Sequence, residues 1–170
     1  MRGKLLRLSF GCIPLLGFLG MIAYYTKLSE CVTESLKGFK YALFLRTPQV
    51  NRGDVVLIQN HSVQYVGDLL FAKRILGIPG DRLHLNKGRL CISHNSLEIG
   101  SLEMRSLEME CLLLLNKTKI EKPLTPLIAS YIPQGYIFVA GDNPKSFDSR
   151  YEEFGLVSLE KVWGKVVLTW

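Results

Sequence analysis

Phe71-Ala72-Lys73-Arg74-Ile75-Leu76-Gly77-Ile78-Pro79-Gly80-Asp81 is an apolar run broken by two basic residues and closed by turn formers. Bounded in this way, Phe71 to Leu76 reads as a β-strand. Strand alternation then puts Phe71, Lys73 and Ile75 on one face and Ala72, Arg74 and Leu76 on the other. A lysine held between two apolar neighbours is desolvated, which disfavours its ammonium form and lowers its pKa. A free amine near neutral pH can take the proton from a serine hydroxyl. Taken alone, Lys73 reads more readily as a surface lysine whose stem lies over apolar residues while its head stays in water.

Similar short apolar runs lie on both sides: Val55 to Ile58, Leu69 to Leu76, Leu83 to Leu85, Leu90 to Ile92, Tyr136 to Ala140 and Val162 to Leu168. Several are rich in β-branched or aromatic residues and are bounded by Gly, Pro, Asn or Asp, so a mostly β fold is predicted. Asn86-Lys87-Gly88 reads as a hairpin turn, and His94-Asn95 as another before Leu97. Residues 27–50 read as a connector of mixed character. Periodicity leaves residues 100–130 open between strand and helix.

Hydrophobic residues make up 48% of the 170-residue chain and charged residues 21%, enough apolar material for one packed domain. The formal charge of +6 is spread along the chain without aromatic interleaving, so no nucleic-acid partner is expected; attraction to anionic lipid is the simpler use of it. The four cysteines form no CxxC pair and have no histidine at metal-ligand spacing, so neither a metal site nor a cofactor is expected. Cys91 and Cys111 can be a disulfide in an oxidising compartment, or two separate buried thiols.

Residues 8–25 carry no charged side chain and, as a helix, would cover roughly 27 Å, about one hydrocarbon core. Arg2, Lys4 and Arg7 precede this stretch, whereas Glu30 and Glu34 follow it. The positive-inside rule therefore puts residues 1–7 in the cytoplasm, a transmembrane anchor over 8–25, and an extracytoplasmic domain over 26–170. Ala23-Tyr24-Tyr25 offers no small-x-small site, which argues against a cleaved signal segment. Glu30 directly before Cys31 argues against a lipoprotein.

Residues 139–151 read Val-Ala-Gly-Asp-Asn-Pro-Lys-Ser-Phe-Asp-Ser-Arg-Tyr, a tight loop that concentrates Ser146, Asp148, Ser149 and Arg150. Asp148 and Arg150 suit an ion pair that stiffens such a loop. FAKRILGIPGD resembles the lysine box of the signal peptidase I family, and GDNPKSFDSRY resembles its C-terminal signature box. Asn51-Arg52-Gly53-Asp54-Val55-Val56-Leu57-Ile58 resembles the RGD-containing strand that precedes the lysine box. All three occur in the family's order, and SFDSRY is closest to the TraF-type peptidases of conjugative transfer.

The resemblance implies a signal peptidase I-like β-domain that cleaves membrane-associated precursors with a Ser/Lys dyad. In that scheme Lys73 is the base, Ser146 orients its amine, and Asp148 and Arg150 support the loop. The nucleophile falls in Thr33-Glu34-Ser35-Leu36-Lys37-Gly38-Phe39-Lys40-Tyr41, where Thr33, Ser35 and Tyr41 fit the TraF-type pattern. Lys37 stands where proline is expected, and Gly38 comes one position early. Ser35 follows the anchor closely, near where a precursor's cleavage site emerges. Its backbone N–H and the Thr33 hydroxyl are candidates for the oxyanion hole.

Ser62 is the rival nucleophile, but it lies close to Lys73 in sequence and in a polar turn. His61, His84 and His94 show no pairing that suggests a His-based triad and read as surface or turn histidines. The implied enzyme is a serine endopeptidase of the bacterial inner membrane with its catalytic domain in the periplasm. Its partners would be precursor proteins with leader segments, the lipid bilayer, and conjugative pilus or type IV secretion components such as pilin. A membrane-tethered assembly subunit without activity is the alternative. A self-cleaving Ser/Lys repressor would need a DNA-binding module where the apolar stretch lies.

Overall fold

Val55–Ile58 and Tyr136–Ala140 become strands with the limits that their apolar runs predict, and both are buried on two faces apart from Tyr136. The structure, a computed structural model, describes residues 17–30, 35–38, 40–64, 69–94, 109–118 and 120–170. In chain order the strands are β1 (Thr26–Glu30), β2 (Tyr41–Leu45), β3 (Val55–Ile58), β4 (Phe71–Gly77), β5 (Arg82–Asn86), β6 (Arg89–Ser93), β7 (Met109–Leu113), β8 (Tyr136–Ala140), β9 (Val157–Ser158) and β10 (Val162–Thr169). A seven-stranded antiparallel sheet has the order β1-β2-β10-β3-β4-β8-β9, and a three-stranded sheet the order β5-β6-β7. The mostly β expectation holds.

β8 explains how the two sheets share a core. Its alternate residues Ile137 and Val139 pack with Val56, Ile58, Ile75 and Phe154, while Phe138 and Ala140 pack with Leu83, Leu90 and Ile92 of the small sheet. Burying each such aliphatic or aromatic side chain contributes roughly 1.5–3 kcal/mol. A strand covered on both faces loses the apolar-polar alternation of a half-exposed one, hence the unbroken run Ile137-Phe138-Val139-Ala140. Asn86 pairs with Arg89 across a two-residue hairpin loop whose Lys87 and Gly88 both have positive φ, 46° and 75°. That is the turn predicted there, in the primed geometry that matches strand twist.

Residues 27–50 prove to be more than a connector. β1 and β2 pair antiparallel at one edge of the large sheet, with Ala42 and Phe44 facing the interior. Among the described residues of 100–130 there is one strand, β7, and those after it form isolated bridges instead of regular elements. The predicted second turn, at His94-Asn95, runs into residues outside those described. Cys91 and Cys111 lie opposite each other on β6 and β7 and form a disulfide. Cys12 and Cys31 lie outside the described residues.

Of the predicted span over 8–25, the structure describes only residues 17–25. Residues 17–25 are helical and exposed, the chain then enters β1 at Thr26, and residues 8–16 lie outside those described. Among the described residues no helix is long and apolar enough to cross a membrane.

Candidate active site

β4 lies between β3 and β8, deep in the large sheet, with Lys73 opposite Val56. Lys73 and Ile75 point to the buried face as alternation predicts, leaving the lysine only 4% exposed. Desolvation pulls its pKa down to about 8, partly opposed by the negative charge of Asp148 and reinforced by the positive charge of Arg150. The amine donates to the Ser35 hydroxyl at 3.0 Å and to the Ser146 hydroxyl at 2.7 Å.

Ser35 comes from the link between β1 and β2, at the sheet edge. Leu36 is buried beside it, and Gly38 turns the chain with φ of 96°, a left-handed conformation that glycine adopts without strain. Thr33 lies outside the described residues. The link meets the 141–150 loop directly: the Asn143 N–H donates to the Ser35 carbonyl at 3.4 Å, and the Lys37 N–H to Asp142 Oδ2 at 3.1 Å. A Cβ on Gly141 would stand 2.7 Å from the Ser35 carbonyl oxygen and 2.7 Å from Ser146 Cβ, and closer still to Ser146 Oγ. Only glycine allows the two serines to converge on one amine here.

The Ser146 side of the site is braced by an ion pair buried almost completely. Arg150 Nε donates to Asp148 Oδ1 at 2.7 Å and Nη2 to Oδ2 at 2.9 Å. Its remaining N–H groups reach the carbonyls of Ser146 at 2.8 Å and of Pro144 and Leu113 at 2.9 Å. All five guanidinium donors are thus bonded, which offsets the cost of burying the charge. Asp148 Oδ2 also accepts from the Gly141 N–H at 3.0 Å, closing the loop on itself.

The RGD segment braces the lysine box. Arg52 pairs with the buried Asp81 at 2.7 Å and donates to the Leu76 carbonyl at 2.6 Å, while Lys165 reaches Asp54 at 3.0 Å. The sequence alone assigns no role to Arg74 and Asp142. They form a two-point ion pair at 2.9 and 3.2 Å, and Arg74 also donates to the Gly53 carbonyl at 3.1 Å. Their charge and their places beside Lys73 and Gly141 were the available signal.

Ser62 is exposed, and the Lys73 amine bonds Ser35 and Ser146 instead. His61, expected at the surface, is buried against Phe154, whose carbonyl lies 2.9 Å from Nε2. Burial lowers its pKa, opposed by that backbone bond and assisted by Lys161. An amine bonded to two hydroxyls, with its ammonium form penalised, is equipped to accept a proton from one of them. Such a hydroxyl becomes a usable nucleophile near neutral pH.

The chain matches the family described as Signal peptidase, peptidase S26, over residues 8–170. Among curated relatives it is 28% identical over 169 residues to signal peptidase I of Rickettsia typhi, covering 86% of this chain and 61% of that protein. To signal peptidase I of Rickettsia bellii strain OSU 85-389 it is 26% identical, covering 86% and 55%. To the chloroplastic thylakoidal processing peptidase 1 of Arabidopsis thaliana it is 30% identical over 135 residues, covering 75% and 34%. The chain therefore spans about six-tenths or less of the length of these relatives. A crystal structure of a signal peptidase I from Enterococcus faecalis V583 is similar at 26% identity and a TM-score of 0.43, over 70% of this chain and 97% of that one. With the match running from residue 8 to residue 170, through the lysine strand, the link that carries Ser35 and the buried ion-pair loop, the chain belongs to the signal peptidase family, peptidase S26.

Proposed function

We propose that this chain is a membrane-bound serine endopeptidase that removes leader segments from exported precursor proteins. One observation carries the reading: a lysine amine with its pKa lowered to about 8 lies 3.0 Å from the Ser35 hydroxyl. Ser35 Oγ attacks the scissile carbonyl as Lys73 Nζ takes its proton. The carbonyl oxygen becomes an oxyanion, for which the Ser35 N–H and the Thr33 hydroxyl are the assigned donors. Collapse expels the leaving amine, which takes the proton back from Lys73, and leaves an acyl ester on Ser35. Water, activated by the same amine, then releases the acid and restores the serine. Ser146 orients the amine, and Asp148 with Arg150 fixes the loop that carries Ser146.

The anchor over 8–25 and an N-terminus in the cytoplasm belong to the same proposal. Phe18, Leu19, Met21 and Ile22 are exposed on the helix at 17–25, and Tyr24 and Tyr25 follow them, as suits a lipid core and its interface. Arg46 stacks on the Tyr24 ring at 4.6 Å. The Cys91–Cys111 disulfide suits an oxidising space such as the periplasm. Pilin or another conjugative-transfer component as substrate rests on the TraF-like SFDSRY run, as does release of the acyl-enzyme by the substrate's own amine to give a circular product.

The test is cleavage of a panel of membrane-associated precursors in detergent by the wild type and by Ser35→Ala, Lys73→Ala and Ser62→Ala. We expect the first two substitutions to lower turnover by about a thousandfold or more, with Ser62→Ala active. A wild type that cleaves nothing and takes no serine-directed label would replace this reading with the inactive assembly subunit.

A further inference from the structure

We infer that Lys37 is a positioning residue for the nucleophile, and that it acts through its backbone N–H, which the proline expected at this position could not supply. The inference rests on the proposed role of Ser35. Lys37 N–H donates to Asp142 Oδ2 at 3.1 Å, and both oxygens of Asp142 are held by Arg74, at 2.9 and 3.2 Å. Arg74 adjoins Lys73 on β4, so the contact ties the link carrying Ser35 to the strand carrying the amine. The other backbone bond between the two loops, from Asn143 to the Ser35 carbonyl, is longer, at 3.4 Å.

Two features make this contact more than a chance approach. The Arg74 hydrogen bond keeps the Asp142 carboxyl below its ordinary pKa against the opposing effect of burial, and the Lys37 N–H bond adds to that lowering. The acceptor is therefore ionised, and a hydrogen bond to a charged acceptor is roughly twice as strong as a neutral one. Gly38, the other departure from the TraF-type pattern, supplies the φ of 96° with which the chain turns directly after this bond. The two departures work together: one residue gives the donor, and the next turns the chain away. Proline would delete the donor and set a ring against the carboxylate.

The inference predicts that restoring the expected family residue damages the enzyme. In detergent, with a precursor that the wild type cleaves in a Ser35-dependent manner, Lys37→Pro should lower kcat about ten- to a hundredfold with KM changed less than about threefold. Lys37→Ala and Lys37→Gln keep the N–H and should stay within about threefold of wild type. An ester in place of the amide between Leu36 and Lys37 removes the N–H without a ring, and should reproduce the proline effect even if Lys37→Pro does not fold. Asp142→Ala removes the Lys37 bond together with the Arg74 pair and should lower kcat at least as much, and adding Lys37→Pro to it should cost little more, because the bond between Lys37 and Asp142 is then already gone. The inference is overturned if the ester variant keeps wild-type kcat, if Lys37→Ala loses as much as Lys37→Pro, or if the two single losses multiply. Cleavage that persists in Ser35→Ala would instead overturn the nucleophile assignment, and this inference with it.

Discussion

The loop at 141–150 is fastened by its own side chains, whereas the link at 35–38 is fastened by groups that reach it from far along the chain. In the first, Asp148 and Arg150 lie two residues apart, are almost fully buried, and bond the carbonyls of Ser146 and Pro144 from within. In the second, the contacts are Asn143 to the Ser35 carbonyl, Lys37 N–H to Asp142 and the Lys73 amine to the Ser35 hydroxyl, and Lys37 itself is exposed. The Lys73 and Ser146 side of the site is thus part of the core, and the Ser35 side is laid against it. Damage to the first should cost folding stability, and damage to the second should cost rate.

The sharpest way to break that contrast is Arg150→Met. It leaves Asp148 buried without its counter-ion and three carbonyls without a donor, so a loss of about 3–5 kcal/mol in urea unfolding is expected. A loss below about 1 kcal/mol would mean that this loop is no more firmly built than the link. Gly141→Ala tests the seam between the two. Its methyl would occupy the space where Ser146 and the Ser35 carbonyl approach, so turnover should fall about a hundredfold or more, with a smaller stability loss of about 1–3 kcal/mol.

The gentlest test is the pH profile. The amine must be neutral to accept a proton, and its pKa is about 8, so kcat/KM should rise about tenfold per unit below pH 8 and level off above it. Because burial in the core sets that value, Lys37→Pro should lower the height of the profile and leave its midpoint in place. A midpoint that moves with Lys37 would show that the link helps to set the basicity of Lys73.

The same contrast explains what could be read from the sequence. SFDSRY packs a serine, a carboxylate and a guanidinium into one short stretch, so its ion pair was predictable from local chemistry. Lys73 was legible because a strand alternates and its neighbours Phe71 and Ile75 are apolar. β1 was missed because an edge strand such as Thr26–Glu30, half-exposed and mixed in character, carries neither alternation nor an apolar run, whereas β2, Tyr41–Leu45, is an apolar run set in a stretch whose surroundings read as a connector. The Arg74–Asp142 pair and its bond to the Lys37 N–H join segments remote in sequence, and a backbone donor leaves no mark on residue type. Gly141 is legible only once two loops are known to cross beside it. His61 was misjudged for a related reason: the Phe154 carbonyl that meets it in the interior comes from a distant turn.

Because each of the five N–H groups of Arg150 already has an acceptor, this cation has no donor left for an arriving polypeptide, and Asp148 cancels its charge at close range. This buried pair is therefore silent toward any chain that approaches from outside. Under the proposed function, the Asp148–Arg150 pair would give no preference for the net charge of a precursor.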